Sequence, residues 1–148
     1  MEKSILQTDF QLVDNFISEF LLNSFEKIKP NTTIDLDMNI SFSIVNVDEK
    51  NLTGQIELKY DINLKDLSKE KDKTKIGKIL ITMNAIFKQN TTIPVPEFVE
   101  KLKFEGGNTL AHLCRSYISS ATALSGIPTI NIPLINFDEF FKSVNLKH

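Results

Sequence analysis

The chain has 148 residues, ordinary apolar and charged fractions, and a formal net charge of −2. That length fits one domain, 1–148, able to bury a core without disulfide or metal staples. The near-neutral charge excludes the strong positive field of a nucleic-acid binder, and no run approaches the ~18 apolar residues of a membrane span.

A single cysteine, Cys114, permits no intramolecular disulfide, and the opening MEKSILQTDF lacks the apolar stretch of a signal peptide. A cytoplasmic location is therefore expected. Of 17 basic residues only Arg115 is an arginine. Lysine suits solvated surface, whereas arginine makes fixed, directional bonds, so one arginine in an apolar region marks a contact to look for.

The first element reads two ways. Leu12, Val13, Phe16, Ile17, Phe20 and Leu21 form a helical stripe, with Thr8 and Gln11 spaced as a cap. Phe10, Leu12, Phe16, Phe20 and Leu22 also fit a strand interrupted by Asp14 and Ser18. Periodicity alone favours the helix.

Residues 32–45 are clearer. Ile34, Leu36, Met38, Ile40, Phe42 and Ile44 alternate with Asp35, Asp37, Asn39, Ser41 and Ser43. This is a strand with one wet face. A polar turn over 48–51 leads to a second alternating run with Ile56, Leu58, Tyr60, Ile62 and Leu64, which predicts a hairpin. The mixed-charge run 65–75 reads as a solvated loop. It precedes a strand with Ile79, Ile81, Met83, Ala85 and Phe87 on one face and Leu80 and Ile86 on the other, expected to be covered on both sides.

A proline-containing connector, 91–96, follows. Gly106, Gly107 and Asn108 are expected to break the chain and cap a helix over 108–124. Its stripe is Leu110, Leu113, Cys114, Tyr117, Ile118, Ala121 and Leu124. Gly126 and Pro128 stop it. The stretch SGIPTINIPLINFDEFF is apolar, yet Pro128 and Pro133 keep its first part out of helix and central strand. Asn136 and Glu139 are spaced as a capping box for a last helix with Phe137, Phe140, Phe141 and Val144 on one face. Strands followed by helices indicate an α+β fold with an antiparallel sheet and helices to one side.

The chain offers little for catalysis. His112 and Cys114, two apart on a helix, point away from each other, so neither a nucleophile pair nor a zinc site is expected. The Gly106–Gly107 turn lacks a phosphate-loop lysine. Asp35 and Asp37 share a strand face that reads as the wet side of a sheet. No catalytic residue, metal or cofactor is assigned, and the chain is read as a non-enzyme. What remains is apolar surface near the C-terminus, with eleven Phe and no Trp in the chain.

Residues 108–141 resemble the C-terminal half of the protein-export chaperone SecB. Asn108, Leu110, Arg115, Ile118, Pro128, Ile130, Asn131, Ile132, Asn136, Phe137 and Asp138 match the family pattern at its spacing. The resemblance implies a four-stranded antiparallel sheet with two C-terminal helices on one side, and makes 10–24 the first strand. It implies a homotetramer with the long helix between dimers, placing Tyr117, Ser120, Ala121 and Leu124 at that interface. It also implies ATP-independent binding of unfolded preproteins in an apolar groove covered by the loop 126–135. Ile127, Ile130, Ile132, Leu134, Phe137, Phe140 and Phe141 are the groove and loop residues. On this reading Phe137→Ala or Ile132→Asp weakens client binding more than folding.

The chain also departs from the family, which is usually strongly acidic. Glu19 matches one acid of the face that contacts the motor protein SecA. Leu80 and Asn23 stand where further acids are usual, and His112 and Leu113 replace a Pro-Tyr pair. These departures weigh against SecA docking and not against the client groove. Some SecB-like proteins serve a toxin–antitoxin module, so an antitoxin is the alternative partner. A small enzyme is the remote alternative and would need a polar cluster in a pocket.

Overall fold

The computed structural model describes residues 9–67 and 75–145, with the backbone alone for 144 and 145. Most of the charged run 65–75 lies outside these residues, as does the side chain of Val144. Four antiparallel strands, β1 (Phe10–Ser24), β2 (Ile34–Asp48), β3 (Thr53–Asp66) and β4 (Lys75–Gln89), form one sheet in the order β1-β4-β3-β2. β2, β3 and β4 follow one another across the sheet, and β1 returns beside β4, leaving β1 and β2 as the two edges.

The first element is a strand, as the family resemblance implies and against the helical periodicity. Val13 and Ser18 are skipped in the backbone register with β4, so β1 carries two bulges. The residues opposite the core row of β4 are Leu12, Asn15, Ile17, Phe20 and Leu22. Each bulge turns a spacing of two into three, which imitates a helix. The second bulge is held by polar bonds: Ser18 Oγ donates to the Thr82 carbonyl (3.3 Å) and accepts from Asn84 Nδ2 (3.2 Å). Gln55 Nε2 donates in turn to Asn84 Oδ1 (3.0 Å).

The β2–β3 hairpin forms as its alternation predicts. Asp48 Oδ1 accepts from the amides of Lys50 (3.1 Å) and Asn51 (3.2 Å), and Asp48 Oδ2 accepts from Asn51 Nδ2 (2.8 Å). These bonds, the Asn51 side chain first, hold the Asp48 carboxyl below its usual range.

A layer of helices covers one face of the sheet. The long helix starts well before Gly106: α1 (Val95–Lys101), a π-helical turn (Leu102–Gly106) and α2 (Gly107–Leu124) run on without a break. Pro94 caps it and Pro96 lies in the first turn, where no amide is needed. Gly106 and Gly107 do not break the helix; their φ values are −64° and −58°. They are small because of close packing. A Cβ on Gly106 would stand 3.0 Å from Ile56 Cδ1, and one on Gly107 would stand 3.0 Å from the Phe137 ring.

The core lies between α2 and the central strands. Ile56, Leu58, Tyr60, Ile62 and Leu64 of β3 and Ile79, Ile81, Met83, Ala85 and Phe87 of β4 are buried against Leu102, Leu110, Cys114 and Ile118. Each large aliphatic buried in this way contributes about 1.5–3 kcal/mol. The expected second cover of β4 is absent among the described residues. Leu80 and Ile86 are half-buried, and Thr82 and Asn84 are enclosed between neighbouring strands.

Candidate functional site

The inner row of β2 differs from those of β3 and β4. Ile34, Leu36, Met38, Ile40, Phe42 and Ile44 pack against the core, yet every one remains half-exposed. α2 lies over β3 and β4. The result is an apolar trough along an edge strand.

One wall of the trough is the irregular segment 126–136. It starts at Gly126, in the left-handed conformation (φ +76°), and its prolines keep it extended. Near Pro128–Asn131 it faces Thr32, Ile34 and Leu36 across a cleft of about 220 Å³. Three successive residues are bonded to one face of α2. The Ile130 amide donates to Thr122 Oγ1 (2.9 Å), Ser119 Oγ to Asn131 Oδ1 (3.2 Å), and Arg115 Nε to the Ile132 carbonyl (2.6 Å). Residues 115, 119 and 122 lie at helical spacing, so the three bonds form a row. Here the lone arginine finds its contact. Ser119 and Thr122 were missed by sequence reasoning as contacts of this segment, the strap; their spacing from Arg115 was the available signal.

The other end of the trough is aromatic. In α3 (Phe137–Asn145), Phe137 and Phe141 have ring centroids 6.3 and 5.1 Å from that of Phe42, and Phe141 lies 5.3 Å from Phe104 of the π-helical turn. The Glu139 amide donates to Asn136 Oδ1 (3.3 Å), so Asn136 caps α3 as its spacing predicts.

The groove residues named from the sequence divide into two groups. Ile130, Ile132 and Phe137 are buried. They anchor the segment to the core, and Ile132→Asp would put a charge into the fold rather than into a groove. Ile127, Phe140 and Phe141 are half-buried, and Leu134 is 58% exposed. On α2, Ser120 is exposed, Ala121 half-buried, Tyr117 40% exposed and Leu124 89% exposed. The Phe20 ring packs edge-on against Tyr117, at 5.0 Å. Glu19 is exposed on β1, opposite Thr82.

His112 is exposed and Cys114 fully buried, so the two diverge as helical spacing requires. Burial pushes the Cys114 thiol up to about 12. Burial also raises the Tyr60 phenol, whose hydroxyl has no hydrogen-bond partner among the described residues, with Cys114 adding to the shift and Arg115 opposing it. Among the described residues no three of His, Cys, Asp and Glu converge as a metal site, and no helix is long and apolar enough to cross a membrane.

No protein-family model and no curated protein matches the chain in sequence. Among solved structures, it is similar to the Mycobacterium tuberculosis Rv1957 SecB-like chaperone, determined in complex with a ChAD peptide from the Rv1956 HigA1 antitoxin. The TM-score is 0.70 at 11% identity, over 86% of this chain and 91% of that one. The chain has a SecB-like fold. A protein of unknown function from Streptococcus agalactiae aligns at a TM-score of 0.45 and 12% identity, over 84% of this chain and 97% of that one. Within the SecB-like fold, the trough, the bonded strap and the aromatic end are built from this chain's own residues.

Proposed function

We propose that this protein is an ATP-independent chaperone that holds extended, non-native polypeptide along the β2 trough. The carrying observation is the half-exposed apolar row Ile34–Leu36–Met38–Ile40–Phe42–Ile44 on an edge strand, with Pro128–Asn131 facing Ile34 and Leu36 and Phe141 packed on Phe42. An edge strand offers unpaired backbone groups to any sequence, and alternate side chains of the bound chain enter the trough. Such a site binds without a reaction centre, and weak contacts repeated over a long surface add up. The buried Ile130, Ile132 and Phe137 support the wall of the site. The chain self-associates through the exposed face of α2, towards a homotetramer.

Within this reading the client is either a range of unfolded preproteins or one antitoxin. The solved SecB-like chaperone bound to an antitoxin peptide favours the antitoxin, as does the replacement of the usual SecA-facing acids by Leu80 and Asn23. The test is suppression of aggregation of a slow-folding protein, without nucleotide, by wild type and by Ile40→Asp. Wild type is expected to suppress aggregation near stoichiometric amounts and the variant to do so poorly while staying folded by circular dichroism. Equal suppression by both sinks the trough as the site. A toxin–antitoxin pair encoded beside this chain, with its antitoxin bound more tightly than a generic unfolded protein, selects the dedicated form.

A further inference from the structure

We propose that the polar hollow between α2 and the strap binds a phosphate-type oxyanion, and that the bound anion braces the strap against the helix. The hollow is separate from the trough on β2; Asn131 borders both.

Successive turns of α2 supply His112, Arg115, Ser116, Ser119 and Ser120, and the strap supplies Asn131, around a volume of about 360 Å³. Each of these side chains can donate a hydrogen bond. Among the described residues no carboxylate lines the hollow, and α2 itself holds neither Asp nor Glu. A cation would find no counter-charge here, whereas an anion meets donors only.

Arg115 supplies the charge. Its Nε is spent on the Ile132 carbonyl (2.6 Å), which fixes the plane of the half-buried guanidinium. Among the described residues its terminal nitrogens have no hydrogen-bond acceptor and no carboxylate pairs with it. A guanidinium taken partly out of water is short of acceptors, and an oxyanion provides them through charge-assisted bonds. Ser119 Oγ donates to Asn131 Oδ1 (3.2 Å), which leaves Asn131 Nδ2 as a further donor. The side chains of His112, Ser116 and Ser120 make no hydrogen bond among the described residues. Donors arriving from several directions suit the tetrahedral oxygens of a phosphate better than the planar pair of a carboxylate.

The donors stand on two segments, α2 and the strap. An anion that touches both binds the docked strap and not a lifted one, so it stabilises the docked form by mass action. Tyr117 stands on the other flank of α2, against Phe20 of β1, so the anion site and the self-association patch meet at Ser120 alone.

The experiment titrates the full chain with inorganic phosphate, phenyl phosphate and acetate at constant ionic strength, read by amide NMR shifts. Expected are saturable shifts at residues 115–120 and 131 with both phosphates at millimolar concentration, and none with acetate. Tighter binding of phenyl phosphate marks a phosphate monoester as the ligand; tighter binding of inorganic phosphate marks the free ion. Ser116→Asp puts a negative charge into the hollow, breaks no strap bond and should weaken phosphate binding about tenfold or more. Arg115→Lys should weaken it too, but it also removes the Ile132 bond, so Ser116→Asp decides. The Ile130 amide, bonded to Thr122, reads the brace. At about ten times the half-saturating phosphate its hydrogen exchange should slow about tenfold. No saturable shift, the same shifts with acetate, or unchanged phosphate affinity in folded Ser116→Asp overturns the site. Phosphate binding without slower Ile130 exchange overturns the brace.

Discussion

Thr122 ties the strap to the core through one hydroxyl. It accepts from the Ile130 amide (2.9 Å) and donates to the Ile118 carbonyl (2.8 Å), all in buried surroundings. Valine has nearly the same shape but leaves the Ile130 N–H without an acceptor. Thr122→Val should therefore cost about 1–3 kcal/mol in urea unfolding, and Thr122→Ser clearly less. An equal loss in both would assign the effect to the methyl group instead. Cys114 makes a separate prediction about pH. Its thiol is raised from 9.0 to about 12 by burial, so the neutral form belongs to the folded state. A raised folded value gives stability that is complete below the unfolded value and is lost as pH rises through the folded one. Stability should hold up to about pH 9 and fall from there towards 12, with a shallower fall in Cys114→Ala. Tyr60, raised in the same direction, keeps some slope in that variant. Equilibrium unfolding from pH 8 to 11 reads both curves.

At the scale of elements, the sequence was legible wherever one periodicity ran unbroken. β2 and β3 alternate without interruption until the bulge at Val45, and they formed the hairpin that the alternation requires. β1 was not legible from periodicity because Val13 and Ser18 each add a residue. Strand spacing then becomes helix spacing, and only the family resemblance gave the right answer. Gly106 and Gly107 misled for a different reason. Glycine pairs usually mark chain breaks, but these two sit inside a helix because Ile56, Phe87 and Phe137 approach too closely for a Cβ. That is a tertiary cause, and nothing in the local sequence carries it. The site was legible in part. The prolines and the Asn136 cap announced an extended strap followed by a helix, and Arg115 announced a fixed contact. Which strap residues turn inward depends on where the helical layer ends, so the sequence does not separate the buried Ile130, Ile132 and Phe137 from the other groove and loop residues.

The whole molecule leaves one part of its helical layer open. Residues 114, 118 and 122 of α2 face the core, while Tyr117 and Leu124 stand exposed beside Ser120 and the half-buried Ala121. An 89% exposed leucine and a 40% exposed tyrosine on one helix face are costly in a monomer, and the small side chains between them allow a second helix close approach. A SecB-like fold that self-associates along α2 covers both. Light scattering should then give a mass well above the 16.8 kDa of one chain. Leu124→Asp combined with Tyr117→Asp should shift the protein to smaller species while circular dichroism stays unchanged, because neither side chain belongs to the buried core. Client holding should weaken in that variant, since a long polypeptide gains avidity from several troughs on one particle and loses it when they separate. A wild type that scatters as a single chain at micromolar concentration would remove the α2 interface and the avidity argument together. The single trough on β2 would then have to account for all binding.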